Sequence, residues 1–142
     1  MNTDELVTGL PFALDLGDVL DPAPRLRLDD GVVFGVAGPV DALITVAWRE
    51  DPGTLEDAVD EDLARMLSEP ATVLVDREPT TVGGVEAVRT FVLDAGEVAS
   101  AREQWRLMAG GRRWTVTAAT TLVDQPAWGP RLAAVAATFR VA

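Results

Sequence analysis

The sequence contains no histidine, cysteine, tyrosine or lysine among its 142 residues. All 12 basic residues are therefore arginine, and the only serines are Ser68 and Ser100. Imidazole is the usual acid–base group near neutral pH, while thiolate, lysine amine and tyrosine hydroxyl are common nucleophiles or proton donors. Because these groups are missing, the composition argues against most classes of enzyme and favours a binding protein.

The missing cysteines also exclude disulfides, but the chain needs none for stability. It is 48% hydrophobic with four tryptophans, and a chain of this length buries roughly 68–70% of the surface that its unfolded state exposes. We therefore predict a single domain over residues 11–142 that folds without a metal ion or other cofactor. The first ten residues, 1–10, are expected to form a mobile N-terminus.

Long apolar runs and excess positive charge are absent as well. No apolar stretch approaches the roughly 20 residues that cross a bilayer, and the segment Met1-Asn2-Thr3-Asp4-Glu5 lacks the basic and apolar regions of a secretory signal. A net charge of −11 repels phosphate backbones and anionic lipids. We expect a cytoplasmic protein that binds another protein, with neither nucleic acid nor membrane insertion, and with a small ligand as a second option.

Two segments have apolar residues at helical spacing. The first begins with Thr54 as a cap and Asp57 three positions later, and Pro70 ends it. The second begins at Asp124, a cap candidate, with Pro126 in its first turn. The predicted apolar stripes consist of Leu55, Ala58, Val59, Leu63, Met66 and Leu67 in the first helix, and of Trp128, Leu132, Val135 and Phe139 in the second.

The remaining apolar segments predict strands at 11–16, 25–28, 32–37, 42–48, 72–82, 85–93, 98–108 and 112–119. Gly83-Gly84 and Gly110-Gly111 suit two-residue hairpin turns, because glycine accepts a positive φ. Pro79 predicts an edge position or a bulge, since it cannot donate to a neighbouring strand. The order strands, helix, four-strand meander, helix predicts an α+β fold in which helices pack on an antiparallel sheet.

Several short segments in this order resemble one protein family. They are Leu10-Pro11, Ala47-Trp48-Arg49, Thr54-Leu55-Glu56-Asp57, residues 82–87, Glu103-Gln104-Trp105-Arg106, residues 111–117 and Thr138-Phe139-Arg140. Together, over residues 30 to 142, the chain resembles the DcrB-type, PsbP-like family, which shares its fold with the Ran-binding Mog protein of yeast and with Eag-type secretion chaperones. The resemblance implies a PsbP-like sandwich of sheet and helices.

The resemblance also implies a class of function. Members of this family are mostly adaptors, carriers or chaperones without a shared catalytic motif, and they include chaperones that hold apolar segments of secreted bacterial toxins. We therefore expect a non-catalytic adaptor or chaperone in a bacterial secretion or toxin context. A domain that binds a small anionic ligand is the alternative, and a carboxylate-based hydrolase is a third hypothesis.

The hairpin around Gly110-Gly111 supplies the candidate binding residues. Strand alternation places one polar set on a single face of the sheet: Arg102, Gln104, Arg106, Arg113, Thr115 and Thr117. The opposite face carries Trp105, Leu107, Trp114 and Val116, which we expect to pack beneath the helices. This polar face either binds a carboxylate, a phosphate or a partner, or it is an ordinary solvent-exposed face on which the aliphatic parts of the arginines cover apolar surface. Trp48, at a strand end, is a further binding candidate.

Acidic residues concentrate around the first helix: Glu50, Asp51, Glu56, Asp57, Asp60, Glu61 and Asp62. A calcium loop alternates its ligands around a central glycine and ends in glutamate, and this cluster lacks that pattern. Acidic side chains near a helix N-terminus are favoured by the helix dipole. We therefore predict a solvated helix face and no metal site, with contact to a basic partner as the functional alternative.

Overall fold

The computed structural model describes residues 12–17, 21–22, 27–28, 31–37 and 42–141, and only the backbone between 21 and 37. The predicted mobile segment 1–10 and parts of the predicted strands 11–16 and 25–28 lie outside these residues. The described elements, in chain order, are β1 (Phe12–Ala13), β2 (Asp21–Pro22), β3 (Arg27–Leu28), β4 (Gly31–Ala37), β5 (Ala42–Glu50), α1 (Leu55–Leu67), β6 (Thr72–Val82), β7 (Val85–Asp94), β8 (Ser100–Ala109), β9 (Arg112–Thr121), α2 (Gln125–Ala136) and β10 (Arg140–Val141).

One antiparallel sheet organises the domain. Its strands follow the order β2-β4-β5-β9-β8-β7-β6, with β3 also paired to β4, while β1 and β10 pair separately. Strands β6 to β9 form the predicted meander, and their bounds lie within two residues of the predicted ones. The predicted α+β class with an antiparallel sheet is confirmed.

Two glycine pairs form the predicted two-residue turns of the meander. Gly83-Gly84 and Gly110-Gly111 all have positive φ angles, and the flanking residues pair directly across both hairpins. Glycine is needed at position 83 for two reasons: its φ angle is positive, and an added Cβ would lie 2.7 Å from the carbonyl oxygen of Phe139. Pro79 lies on β6, which ends the strand order, so its predicted edge position is confirmed.

The main hydrophobic core lies between the sheet and α2. It contains the predicted inward set Trp105, Leu107, Trp114 and Val116, together with side chains of β1, β5 and α2. An aromatic cluster closes it: Trp48 stacks on Trp114 at 5.8 Å between ring centroids, and Phe12 lies 5.7 Å from both Trp48 and Phe139. Helix α2 ends at Ala136, so Phe139 enters this core from the segment after the helix.

Helix α1 covers the other face of the sheet, which corrects one prediction. We expected both helices to pack on the apolar face, but α1 packs on the polar face through Ala58, Val59, Asp62 and Leu63. The physical reason is that Asp62 gives this helix a carboxylate that pairs with the arginines beneath it. Among the described residues, no helix combines the length and apolar character needed to cross a bilayer.

The two predicted helix caps differ in outcome. The hydroxyl of Thr54 accepts a hydrogen bond from the backbone N–H of Asp57 at 3.2 Å, so the predicted cap is confirmed. The side chain of Asp124 makes no such bond, although this residue does occupy the N-cap position. Its carboxylate instead accepts a hydrogen bond from the hydroxyl of Thr121, at the end of β9, at 2.8 Å.

Candidate functional site

A buried network of arginines and carboxylates lies between α1 and the sheet, and Asp62 is its centre. The Oδ2 atom of Asp62 accepts from Nε of Arg106 at 2.8 Å. Its Oδ1 atom accepts from Nη1 of Arg113 at 3.1 Å and from Nη2 of Arg65 at 2.9 Å. Three guanidinium groups therefore meet on one carboxylate that is itself buried.

Arg106 on β8 is enclosed, with 2% of its side chain exposed. Besides Asp62, it donates to the hydroxyl of Thr90 at 3.0 Å and to the amide oxygen of Gln104 at 2.8 Å. Gln104 in turn donates to the hydroxyl of Thr117 at 3.0 Å. Burial lowers the pKa of Arg106 from its ordinary value, against the opposing effect of Asp62. The chain of bonds crosses three strands and ties them to α1.

Arg113 on β9 makes the second branch of the network. It donates through Nε to Asp51 at 2.8 Å, through Nη1 to Asp62, and through Nη2 to Glu61 at 3.4 Å. Burial alone would lower the pKa of Arg113, but its bonds to Asp51 and Glu61 and the charge of Asp62 raise it. The pKa of Asp51 is lowered, chiefly because the backbone N–H of Gly53 donates to it at 2.7 Å.

The predicted register of the β8–β9 hairpin is confirmed, because Arg106 pairs with Thr115 and Met108 with Arg113. The six polar candidates on these strands therefore share one face. Arg106, Arg113 and Gln104 are buried there, while Arg102, Thr115 and Thr117 are half-buried. Trp48 is also half-buried, and it belongs to the aromatic cluster on the opposite face. None of these positions by itself establishes a binding role.

Two interpretations of these charges are corrected by the structure. The prediction of a solvent-exposed sheet face is wrong for Arg106, Arg113 and Gln104, which are buried beneath α1. The prediction of a solvated acidic face is wrong for Asp62, which is buried and pairs with Arg113, while Asp51 is half-buried and also pairs with Arg113. The burial of Asp62 could have been inferred from the sequence, since Asp62 falls at helical spacing within the apolar stripe of α1.

Sequence reasoning also missed the outer members of the network. Arg49, at the end of β5, donates to Oε1 of Glu61 at 3.1 Å, and Arg65 reaches Asp62 from the same helix. Both guanidinium groups stand at the solvent side of the network. In the part of the chain that the structure describes, no group of three or more acidic side chains is arranged to hold a metal ion.

A second feature lies at one end of the sheet. The exposed large hydrophobic side chains of the described residues are Leu67, Val73, Val75, Val98, Leu122 and Val123. All six fall where α1, β7 and β9 end and where β6 and β8 begin. Backbone hydrogen bonds from Ala95 to Ala71 and from Leu122 to Ala99, both 2.9 Å, tie these segments together. We name this set of six residues the apolar end.

The fold is that of the PsbP- and Mog1-like proteins. The solved Ran-binding protein Mog1p of Saccharomyces cerevisiae has a TM-score of 0.66 and 12% identity, covering 94% of this chain and 91% of that one. The cyanobacterial PsbP (CyanoP) of Synechocystis has a TM-score of 0.62 and 14% identity, covering 93% and 87%. LpqN of Mycobacterium tuberculosis, involved in cell envelope biogenesis, has a TM-score of 0.66 and 12% identity, covering 92% and 82%.

These similarities are to three-dimensional structures and define the fold alone. Comparison of the sequence with protein-family models and with curated proteins found no match. The predicted PsbP-like architecture is confirmed by the structural neighbours. The function has to be argued from the residues of this chain.

Proposed function

We propose that this chain is a non-catalytic, cytoplasmic binding protein, an adaptor or chaperone for another protein in a bacterial secretion or toxin context. The observation that carries the proposal is the apolar end. Exposed apolar side chains that stand singly are ordinary, whereas apolar residues gathered in one place mark interaction sites. Here all the exposed large hydrophobic side chains of the described residues belong to one end of the sheet, and Val98 and Val123 are 69% and 89% exposed.

The charges near the apolar end indicate the chemistry of the partner. Glu69 follows α1, Asp94 ends β7, and Glu97 precedes Val98 in the next loop. The whole chain has a net charge of −11. Because complementary charges speed association and exclude wrong partners, we expect a partner segment that is apolar at its centre and flanked by arginine or lysine.

The buried network supports a non-catalytic function. A carboxylate-based hydrolase needs a carboxylic acid that holds a proton near neutral pH beside a second, ionised carboxylate. The least exposed of the ion-paired carboxylates, those of Asp62, Asp51 and Glu103, each bind an arginine. We therefore assign these three carboxylates to ion pairs that hold the helix and the strands together, in place of acid–base chemistry.

The structural neighbours support a protein partner only by analogy. Mog1p is a Ran-binding protein, so the same fold presents a surface to another protein in at least one case. The fold does not carry the function with it, because unrelated activities recur on one architecture. The apolar end of this chain therefore remains the main argument.

An affinity capture from the native host tests the proposal. We expect the tagged chain to recover one stoichiometric protein, and the double variant Val98→Ser/Val123→Ser to lose it. Both side chains are exposed, so the fold should tolerate the change. The matched control is Ala137→Ser, which changes an exposed residue after α2 at the other end of the sheet. Cell fractionation with the same tag tests the cytoplasmic location.

The outcomes separate the alternatives. Retention of the partner by wild type and by the Ala137→Ser variant, with loss only in the double variant, supports a protein-binding function at the apolar end. Equal retention by all three proteins contradicts that assignment of the surface. Recovery of the chain alone at high yield contradicts the adaptor function and favours the small-ligand alternative.

A further inference from the structure

A pocket of about 120 Å³ opens beside the buried network, between α1 and strands β5 and β9. Arg49, Arg65 and Arg113 line it together with Asp62 and Thr115. Its polar walls come from three separate elements, so its geometry depends on the packing of α1 on the sheet. It is a different surface from the apolar end and does not depend on the proposed function.

Two arginines at this pocket, Arg49 and Arg65, keep N–H donors that bind no carboxylate of the described residues. Arg49 and Arg65 are 45% and 66% exposed, and each donates through Nη2 alone to one carboxylate. A guanidinium group carries five N–H donors in a fork that matches a carboxylate or a phosphate. The half-buried hydroxyl of Thr115 has no side-chain hydrogen bond within the described residues. Donors from three sides are therefore available to a bound group.

The charge of the network also favours an anion. Its ion pairs join four arginines (Arg49, Arg65, Arg106 and Arg113) to three carboxylates (Asp51, Glu61 and Asp62). One positive charge therefore remains in a chain whose net charge is −11. At physiological ionic strength the Debye length is about 8 Å, so this local charge acts on a ligand largely independently of distant acidic residues.

Glu61 does not line the pocket, but its carboxylate binds two of the arginines that do. Its two oxygens accept from Arg49 at 3.1 Å and from Arg113 at 3.4 Å, while 60% of the side chain is exposed. An exposed ion pair of this kind contributes at most about 1 kcal/mol. A small anion in the pocket that makes shorter bonds to Arg49 therefore competes with this carboxylate.

We propose that this pocket binds a small oxyanion, a carboxylate or phosphate group, between Arg49, Arg65 and the Thr115 hydroxyl, and that the anion displaces Glu61 from Arg49. The pocket of about 120 Å³ has room for a group of this size, since a cavity that holds one water molecule needs roughly 10–15 Å³ of such space. Phosphate should bind more tightly than acetate, because it carries more charge and more acceptor oxygens at neutral pH.

An NMR titration with inorganic phosphate and, separately, with acetate tests the proposal. The Nε–H signals of arginine are followed at constant ionic strength, with chloride as the balancing anion. We expect saturable shifts at Arg49 and Arg65. The variants Arg49→Gln and Arg65→Gln should each weaken phosphate binding at least tenfold, and Glu61→Gln should strengthen it several-fold.

The matched control is Arg140→Gln, which removes an exposed arginine on β10 and should leave the affinity unchanged. Saturation by acetate but not by phosphate would assign the pocket to a carboxylate group and still support an oxyanion site. Linear shifts without saturation, or equal shifts with chloride alone, would overturn the proposal. Unchanged affinity in Glu61→Gln would overturn the displacement of Glu61. None of these outcomes involves the partner protein, so they leave the proposed adaptor function untouched.

Discussion

Replacing Asp62 with asparagine removes the carboxylate that neutralises Arg106 while keeping the shape of the side chain. Arg106 has 2% of its side chain exposed, and its other bonds go to the neutral groups of Thr90 and Gln104. Its positive charge would then be buried without a partner. Breaking a buried ion pair from one side costs about 3–5 kcal/mol, since the remaining charge is not compensated.

That loss is large compared with the stability of a typical domain, which is about 5–15 kcal/mol. Urea unfolding followed by tryptophan fluorescence measures it, and an unchanged m-value shows that the surface exposed on unfolding is the same. The matched control is Asp60→Asn on the same helix. Asp60 is exposed and pairs with Arg77 at 2.8 Å, so its replacement should cost less than about 1 kcal/mol.

A double-mutant cycle isolates the pair. If Asp62 and Arg106 interact as described, Arg106→Met should cost less in the Asp62→Asn background than in the wild type. The reasoning would be refuted by an Asp62→Asn variant that loses no more stability than Asp60→Asn. That result would mean that water reaches Arg106 and replaces the carboxylate.

Two further predictions concern a turn and an acidic group. Gly83→Ala should destabilise the chain by more than Gly84→Ala. Both glycines have a positive φ, so an alanine at either position costs about 1–2 kcal/mol, but only at Gly83 does the added Cβ lie 2.7 Å from a backbone oxygen. Equal changes in urea midpoint would contradict this close contact. The pKa of Asp51 is lowered below its ordinary value of 3.8. As the pH falls, Asp51 is therefore protonated in the unfolded chain before it is protonated in the folded chain. The stabilisation is present above about pH 4 and is lost as the pH drops through the folded-state value. Asp51→Asn should therefore be less stable than wild type at neutral pH, and the gap between their urea midpoints should narrow as the pH falls below the ordinary value of 3.8. A constant gap would show that Asp51 does not contribute through its charge.

Much of the fold was predictable from local pattern. Alternation of period two fixed the strands of the meander, and the glycine pairs at 83–84 and 110–111 fixed the hairpin register to the residue. Register follows from turn length, and it decides which side chains share a face. For this reason the sequence alone places the polar candidates of β8 and β9 on one face of the sheet.

The candidate site was predictable only in part. Arg106 and Arg113 were singled out as charged groups on one sheet face, yet their partners Asp62 and Asp51 were assigned to a solvated cluster. The partners of an aspartate in the middle of an apolar helical stripe cannot be predicted from a short sequence pattern, because the pattern does not show which surface the helix packs against. Arg49 and Arg65 were overlooked for the same reason, since they become neighbours only when α1 lies beside β5.

The sequence by itself determined the chemical repertoire and the local elements of this protein. It has carboxylates and arginines in place of histidine, cysteine, tyrosine and lysine, and the spacing of its apolar residues specifies strands and helices. Only the tertiary structure decided which face each helix covers. That choice depends on long-range pairing, in which Asp62 meets Arg106 across 44 residues and Arg113 across 51 residues of chain. Burial converts those separated charges into one network, while the apolar end, which includes the last residue of α1 and residues near the start of β6, stays exposed.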